Sequence, residues 1–228
     1  MSVDIKVKRK DGLTLYTKNK HIEDDISISL DSSLFDQDYS NEDGLITRTL
    51  TYYKNDRVTE IGARVFQNYM TELRLDFPNA ISTGENSFYG SKGLMEVNLP
   101  KLVTMGANAF YQVINLRVLN LPSVETVPAS SCRYSTALEI FYAPKLKKIE
   151  SAVFADCTNL KALIIGGTTT MVNTNALVRT AIESGTGYIY VPDTDVESVK
   201  GATNFTTYAT QIKGWSEIPQ EIREELGI

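Results

Sequence analysis

The chain has 228 residues, with 42% apolar and 22% charged side chains, a balance that excludes a largely disordered state and is enough to bury most of its surface. Twenty-three basic against 28 acidic residues leave a net charge of −5, so there is no general pull toward nucleic acid or an anionic membrane. No apolar run reaches membrane-spanning length, and two cysteines with a single histidine cannot make a disulfide scaffold or a typical zinc site.

Residues 1–30 read as a small β unit. Val3, Ile5 and Val7 alternate with polar residues, Asp11-Gly12 marks a turn, and Leu13 and Leu15 begin a return strand. Ile26, Ile28 and Leu30 alternate again. The short basic run Lys6, Lys8, Arg9 and Lys10 is a solvated strand face, without the interleaved aromatics of a nucleic-acid site. His21, with no second histidine, is expected at the surface. Residues 31–44 form a linker; Asp36, Asp38, Glu42 and Asp43 lack the glycine and terminal glutamate of an EF-hand loop, so no metal is expected. Leu45 to Tyr53 alternates and is expected to be the first strand of a repeat array, capping its open end.

From Val58 to Thr168 the chain repeats itself. Phe66, Phe88, Phe110 and Phe154 lie on one ladder of 22-residue steps, with Cys132 on the missing rung. Pro78, Pro100, Pro122 and Pro144 keep that step, as do Leu94, Leu116, Leu138 and Leu160, and glycine recurs at Gly62, Gly84 and Gly106. Several residue types holding one period signify a solenoid. Within a unit, Leu75 and Phe77 alternate with Arg74 and Asp76, which is a strand with one buried face, closed by a proline that has no ladder donor. The segment around each phenylalanine, such as Gly106 to Phe110, is expected to be a helical turn or short helix docking its ring inward. One unit buries too little to offset the ordering of its own backbone, so the copies must stack. Both cysteines fall on inward positions and are expected to be buried thiols rather than a disulfide.

The segment Ala152-Val-Phe154-Ala-Asp-Cys157-Thr-Asn-Leu160, preceded by Leu146-Lys-Lys-Ile149, resembles the BspA-like leucine-rich repeats of bacterial surface and phage proteins. The resemblance covers five units and about half the chain. It implies a β-rich α+β solenoid of 22-residue leucine-rich repeats. The fourth unit departs from the pattern, with Pro128 for Gly, Cys132 for Phe and Ala143 for Leu, and it carries Phe141 where the others have Leu or Val. An aromatic lost and one gained in the same layer is expected to conserve core volume. Residues 12–30 are similar to a module near the N-termini of phage structural proteins, which implies docking onto other virion proteins.

Beyond Ile165 the period breaks at Gly166-Gly167, and residues 171–184 read as a diverged or helical unit. Tyr188 to Pro192 repeats the strand-plus-proline end. Thr194 to Glu197 has capping-box spacing and is expected to open a helix ending near Gly201. Asn204 to Ile212 reads as a second short helix, Trp215 as a lid on the last layer, and Pro219–Leu226 as a small exposed helix. The tail from Tyr190 to Phe205 resembles the ending of many phage and gut-bacterial proteins with these repeats. The chain thus divides into an N-terminal unit and linker (1–44), the solenoid (45–192) and a helical C-terminal cap (193–228).

No nucleophile elbow, phosphate loop, zinc spacing or distinctive carboxylate pair is present, so neither an enzyme nor a cofactor is expected. The outward strand positions form two columns: Arg74, Glu96, Val118, Ile140, Ala162 and Asp76, Asn98, Asn120, Tyr142, Ile164. Both begin polar and turn apolar. Asn98, Asn120, Val118, Ile140, Tyr142 and Ile164 are therefore the candidate interface residues, and an apolar stripe of that size calls for a cover. Two covers stand open, a partner (a second copy in a symmetric homo-oligomer among them) or the chain's own C-terminal cap. The function expected is a phage virion component (tail, fibre or capsid decoration), located in the virion, which docks through its N-terminal unit and offers the solenoid to a host surface protein or glycan. The alternative is a bacterial cell-surface or extracellular adhesin. The N-terminus has no secretory apolar segment, which favours the first. Neither nucleic acid nor membrane insertion is expected.

Overall fold

The computed structural model describes residues 52–70 and 72–228, together with three short strands, β1 (Lys6–Lys8), β2 (Thr14–Tyr16) and β3 (Ile28–Leu30). The linker expected at residues 31–44, residues 45–51 of the capping strand expected over Leu45 to Tyr53, and the surface position expected for His21 lie outside the described residues. β1 and β2 pair antiparallel; the turn expected at Asp11-Gly12 lies outside the described residues. β3 joins neither of them. It pairs parallel with β5 (Val58–Ile61) and so belongs to a wall of the solenoid.

Each layer of the solenoid has three walls. The front wall holds β4 (Tyr52–Lys54), β6 (Leu73–Asp76), β8 (Leu94–Asn98), β9 (Val118–Asn120), β11 (Ile140–Ala143), β13 (Ala162–Ile165), β15 (Tyr188–Val191) and β16 (Ile212–Gly214). These pair in parallel as two groups, β4-β6-β8 and β9-β11-β13-β15-β16. The registers Arg74↔Glu96, Asp76↔Asn98, Val118↔Ile140↔Ala162 and Asn120↔Tyr142↔Ile164 build the two outward columns from a constant 22-residue step. The back wall holds β5, β7 (Ser82–Thr83), β10 (Thr126–Val127), β12 (Lys148–Ile149) and β14 (Thr170–Met171).

The third wall is built of turns, so of the helical turn or short helix expected at each phenylalanine the short helix is ruled out. Two residues per unit lie in the left-handed region, Arg64, Asn86, Asn108, Ser130 and Ala152 in one column and Asn68, Gly90, Gln112, Tyr134 and Asp156 in the other, with φ between 53° and 66°. This conformation cannot continue a right-handed helix. It frees alternate amides to bond to the next layer instead: Arg64, Phe66 and Asn68 donate to the carbonyls of Glu85, Ser87 and Tyr89 at 3.1, 2.8 and 2.7 Å.

Inside, Phe66, Phe88 and Phe110 stack in one file with centroids 5.4 and 4.8 Å apart, and Phe154 is buried further along it. Cys132 occupies the vacant rung with no exposure, and the Phe141 ring, entering from the front wall, meets Phe154 edge-on at 4.8 Å. The exchange of aromatics read from the fourth unit is thus a physical one. Both thiols are free and buried; the Cys157 Sγ donates to the Cys132 carbonyl at 2.9 Å, and burial pushes its pKa up to about 12.

At the C-terminal end Asn173 caps a 3-10 turn (Thr174–Leu177), which keeps the diverged unit in the stack. Helix α1 (Val196–Lys200) ends at Gly201 as expected, although Thr194 makes no capping box: its hydroxyl turns to the Asp195 carboxylate at 3.3 Å. Thr206–Gln211 is 3-10 helix kinked at Tyr208. Helix α2 (Gln220–Leu226) forms where a small helix was expected but is not wholly exposed, because Ile222 and Leu226 are buried.

Candidate functional site: the front face

Two halves of the front wall differ in what covers them. In the C-terminal half, Ile218, Ile222 and Leu226 press onto Ile140, Ala162, Ile164 and Tyr190, with Val118, Tyr142, Tyr188 and Trp215 around the edge. Ile222 and Leu226, spaced i and i+4, share one face of α2, and Ile218 joins them from the extended residues just before the helix. Arg223 ties the segment together by donating to the carbonyls of Ile218 (3.1 Å) and Trp215, and Glu225 pairs with Arg117 on the sheet. Ile140 and Ile164 have no exposure at all. Of the two covers left open by sequence, the chain's own tail is the one observed, and these two residues are corrected as a partner's docking surface. The reason for expecting a second copy at the stripe goes with them. Tyr142 and Val118 remain half-buried at its edge.

Tyr190 lies deepest among the tyrosines of this cluster. Burial, then Tyr188 and the carboxylates of Glu217 and Glu221, push its phenol up to about 12. Burial alone raises Tyr142.

No described residue covers the N-terminal half, and at its junction with the capped half lies a groove of about 610 Å³, bordered by Arg74, Glu96, Asn98, Arg117, Asn120 and Glu225. Its charges are already matched to one another. Arg74 donates to Glu96 at 3.0 Å and to Glu72, and Arg117 pairs with Glu139 at 3.2 Å as well as with Glu225. Asn98 donates to Asp76 at 2.7 Å, and Asp76 also meets Lys54 at 3.2 Å. Lys161, then Arg117, hold the Glu139 carboxyl below its usual value. What lacks a partner among the described residues is amide: the Asn120 Oδ1 is buried without a hydrogen bond. No ladder pairing joins β8 to β9 among the described residues.

The site therefore unites Asn98, Asn120 and Val118 and separates them from Ile140 and Ile164. Arg117 and Glu225 escaped the sequence reading, although the Ile218, Ile222, Leu226 spacing was an available signal that α2 needed an apolar surface to lie on. Among the described residues no group of His, Cys, Asp and Glu is arranged to hold a metal ion.

The family model described as the BspA type leucine rich repeat region matches residues 59–183 in six copies. The chain belongs to this family. The matched residues run to 183, into the stretch read from sequence as a diverged unit. Among solved structures, the chain is similar to a leucine-rich repeat protein from Bacteroides ovatus ATCC 8483, at 23% identity and a TM-score of 0.40. That match covers 53% of this chain and 41% of the other, so the chain spans well under half of that protein's length. No curated protein matches.

Proposed function

We propose that this BspA-type repeat protein is a non-enzymatic structural component of a phage virion, in which the N-terminal unit docks onto other virion proteins and the open front face meets a protein or glycan of the host surface. The observation that supports a binding role is the division of the front wall. Its apolar half is covered from within, and its amide-rich, charge-matched half is left open around the groove by the described residues. A surface whose charges are internally paired gives little long-range steering and selects by shape and amide hydrogen bonding. The virion assignment draws on the likeness of residues 12–30 to a module of phage structural proteins.

Mass spectrometry of purified particles tests this reading: the chain should be present at fixed stoichiometry with other virion proteins, and its recovery only in a bacterial envelope fraction would overturn the assignment. A second reading, a bacterial cell-surface adhesin, is favoured by the BspA-type repeats themselves, which resemble those of bacterial surface proteins. It uses the same open face. Asn98→Asp with Asn120→Asp, which replaces two amides by like charges one rung apart, should weaken binding of particles or of purified chain to host cells at least tenfold under either reading. Unchanged binding would exclude the groove as the contact surface.

A further inference from the structure

We propose that the solenoid bends at one seam, between the layer of β8 and the layer of β9, with the turn wall as the hinge and the front-face groove as its mouth. Three observations meet there. On the front wall β9 bonds to β11 through the Arg117 carbonyl and the Leu121 amide, and β8 receives the Phe77 amide at the Asn98 carbonyl. Alternate residues of a parallel strand face opposite neighbours, so Val97 and Leu99 turn their backbone groups toward β9, and Val118 and Asn120 turn theirs toward β8. No ladder bond spans that gap among the described residues. On the back wall Thr104 bridges Ser82 on one side, yet β10 pairs only with β12 on the other. The turn wall stays closed: Phe110 and Gln112 donate to Ser131 and Arg133 at 2.7 and 2.8 Å, and Ser135 Oγ donates to the Phe110 carbonyl at 2.7 Å.

The sequence supplies the cause. At the corner after the back strand, the amides of Gly84, Glu150 and Val172 donate to the layer before, to Ile61, Val127 and Ile149 at 2.7, 3.1 and 2.9 Å. The same position at the seam is Pro128, which has no N–H to give. Its neighbour in the column is Gly106, which is packed so closely on Gly84 that a Cβ there would collide with the Gly84 carbonyl group. Proline thus both removes the bond and brings a ring to the tightest corner of the stack. Two side chains limit the opening by reaching across it, Asn115 Nδ2 to the Lys92 carbonyl (2.6 Å) and Ser123 Oγ to that of Pro100 (3.3 Å). The hinge does not depend on which partner the groove takes, because it concerns only how the two halves of the solenoid move.

Amide exchange and spin-label distances on the full chain test it. Val97, Leu99, Val118 and Asn120 should exchange at least tenfold faster than the ladder amides between β6 and β8, although Val118 lies at the edge of the α2 contact; equal protection would overturn the open seam. Labels at Val103→Cys and Lys147→Cys span the seam, whereas Glu125→Cys and Thr170→Cys span two layers without crossing it. All four positions are exposed and the native thiols are buried. The spanning pair should give the broader distance distribution, and equal widths would sink the hinge. Pro128→Gly, with Pro128→Ala as a second variant, should slow exchange at the seam and narrow the spanning distribution; no change in both variants would remove Pro128 as the cause.

Discussion

Replacing Ile222 by Asp tests whether the apolar half of the front face is truly satisfied from within. Ile222 is 6% exposed, at the centre of α2 between Ile218 and Leu226. Losing its burial costs about 2–3 kcal/mol, and a carboxylate against Ile140 and Ile164 adds a desolvation penalty that the helix avoids only by lifting off. A helix of seven residues has no stability of its own in water, so undocking should also melt it. The chain has one tryptophan, Trp215, which sits in this cluster. Its fluorescence should therefore shift toward the solvent-exposed value in Ile222→Asp, while far-ultraviolet dichroism of the solenoid changes little. The uncovered stripe should bind an apolar dye and drive self-association on a sizing column. If tryptophan emission and dye binding match wild type, the cap is not held by this contact and the assignment of the stripe to the tail is wrong.

Other outcomes rest on the titrating groups of the same fold. Burial raises the Tyr190 pKa to about 12, so the stability it contributes is complete below the unfolded tyrosine value of roughly 10 and is lost as pH rises through the folded one; Trp215 emission should report release of the cap in that window, and Tyr190→Phe should abolish that transition. The Asp156 carboxyl is held below its ordinary value first by its hydrogen bond to Arg179 and further by Arg133. Its stabilisation is present above the unfolded aspartate pKa and is lost as pH falls through the depressed folded value, so urea midpoints of Asp156→Asn should fall less steeply than wild type below about pH 4. Cys132 and Cys157 should resist a thiol reagent in the native chain and react at two equivalents after unfolding; fast native labelling would contradict their burial.

The legible parts of this fold were those enforced by periodic burial. A 22-residue step in phenylalanine, leucine and proline has one physical meaning, and the registers Arg74↔Glu96 and Ile140↔Ala162 come from it directly. The turn wall was harder, because Arg64, Asn86, Ser130 and Ala152 share a left-handed backbone without sharing a side-chain type. Its conformation is imposed by bonds to neighbouring layers, and a local reading of Gly106 to Phe110 cannot contain them. The place of β3 was hidden for a like reason, since its partner β5 lies some thirty residues further along the chain. At the site, alternation correctly sorted Asn98 and Asn120 outward and called for a cover over Ile140 and Ile164. Which cover it would be depended on where the tail returns, a tertiary fact to which the spacing of Ile218, Ile222 and Leu226 pointed without naming the surface beneath.

The fourth unit shows how a repeat departs from its own rule at a definite cost. Cys132 takes an aromatic ring from the turn wall and Phe141 returns one from the front, so the core keeps its volume. Pro128 has no such compensation, and two properties of proline compete to explain the open seam: bulk and the missing donor. Glu150 separates them. It occupies the equivalent corner one layer on, carries a Cβ and a longer side chain than proline's ring, and still donates to Val127 at 3.1 Å across a closed back wall. Bulk at that corner is tolerated where an N–H is present, so the absent donor is the deciding property. Pro128→Ala should then close the seam nearly as well as Pro128→Gly, and a repair seen with glycine alone would return the explanation to crowding against Gly106.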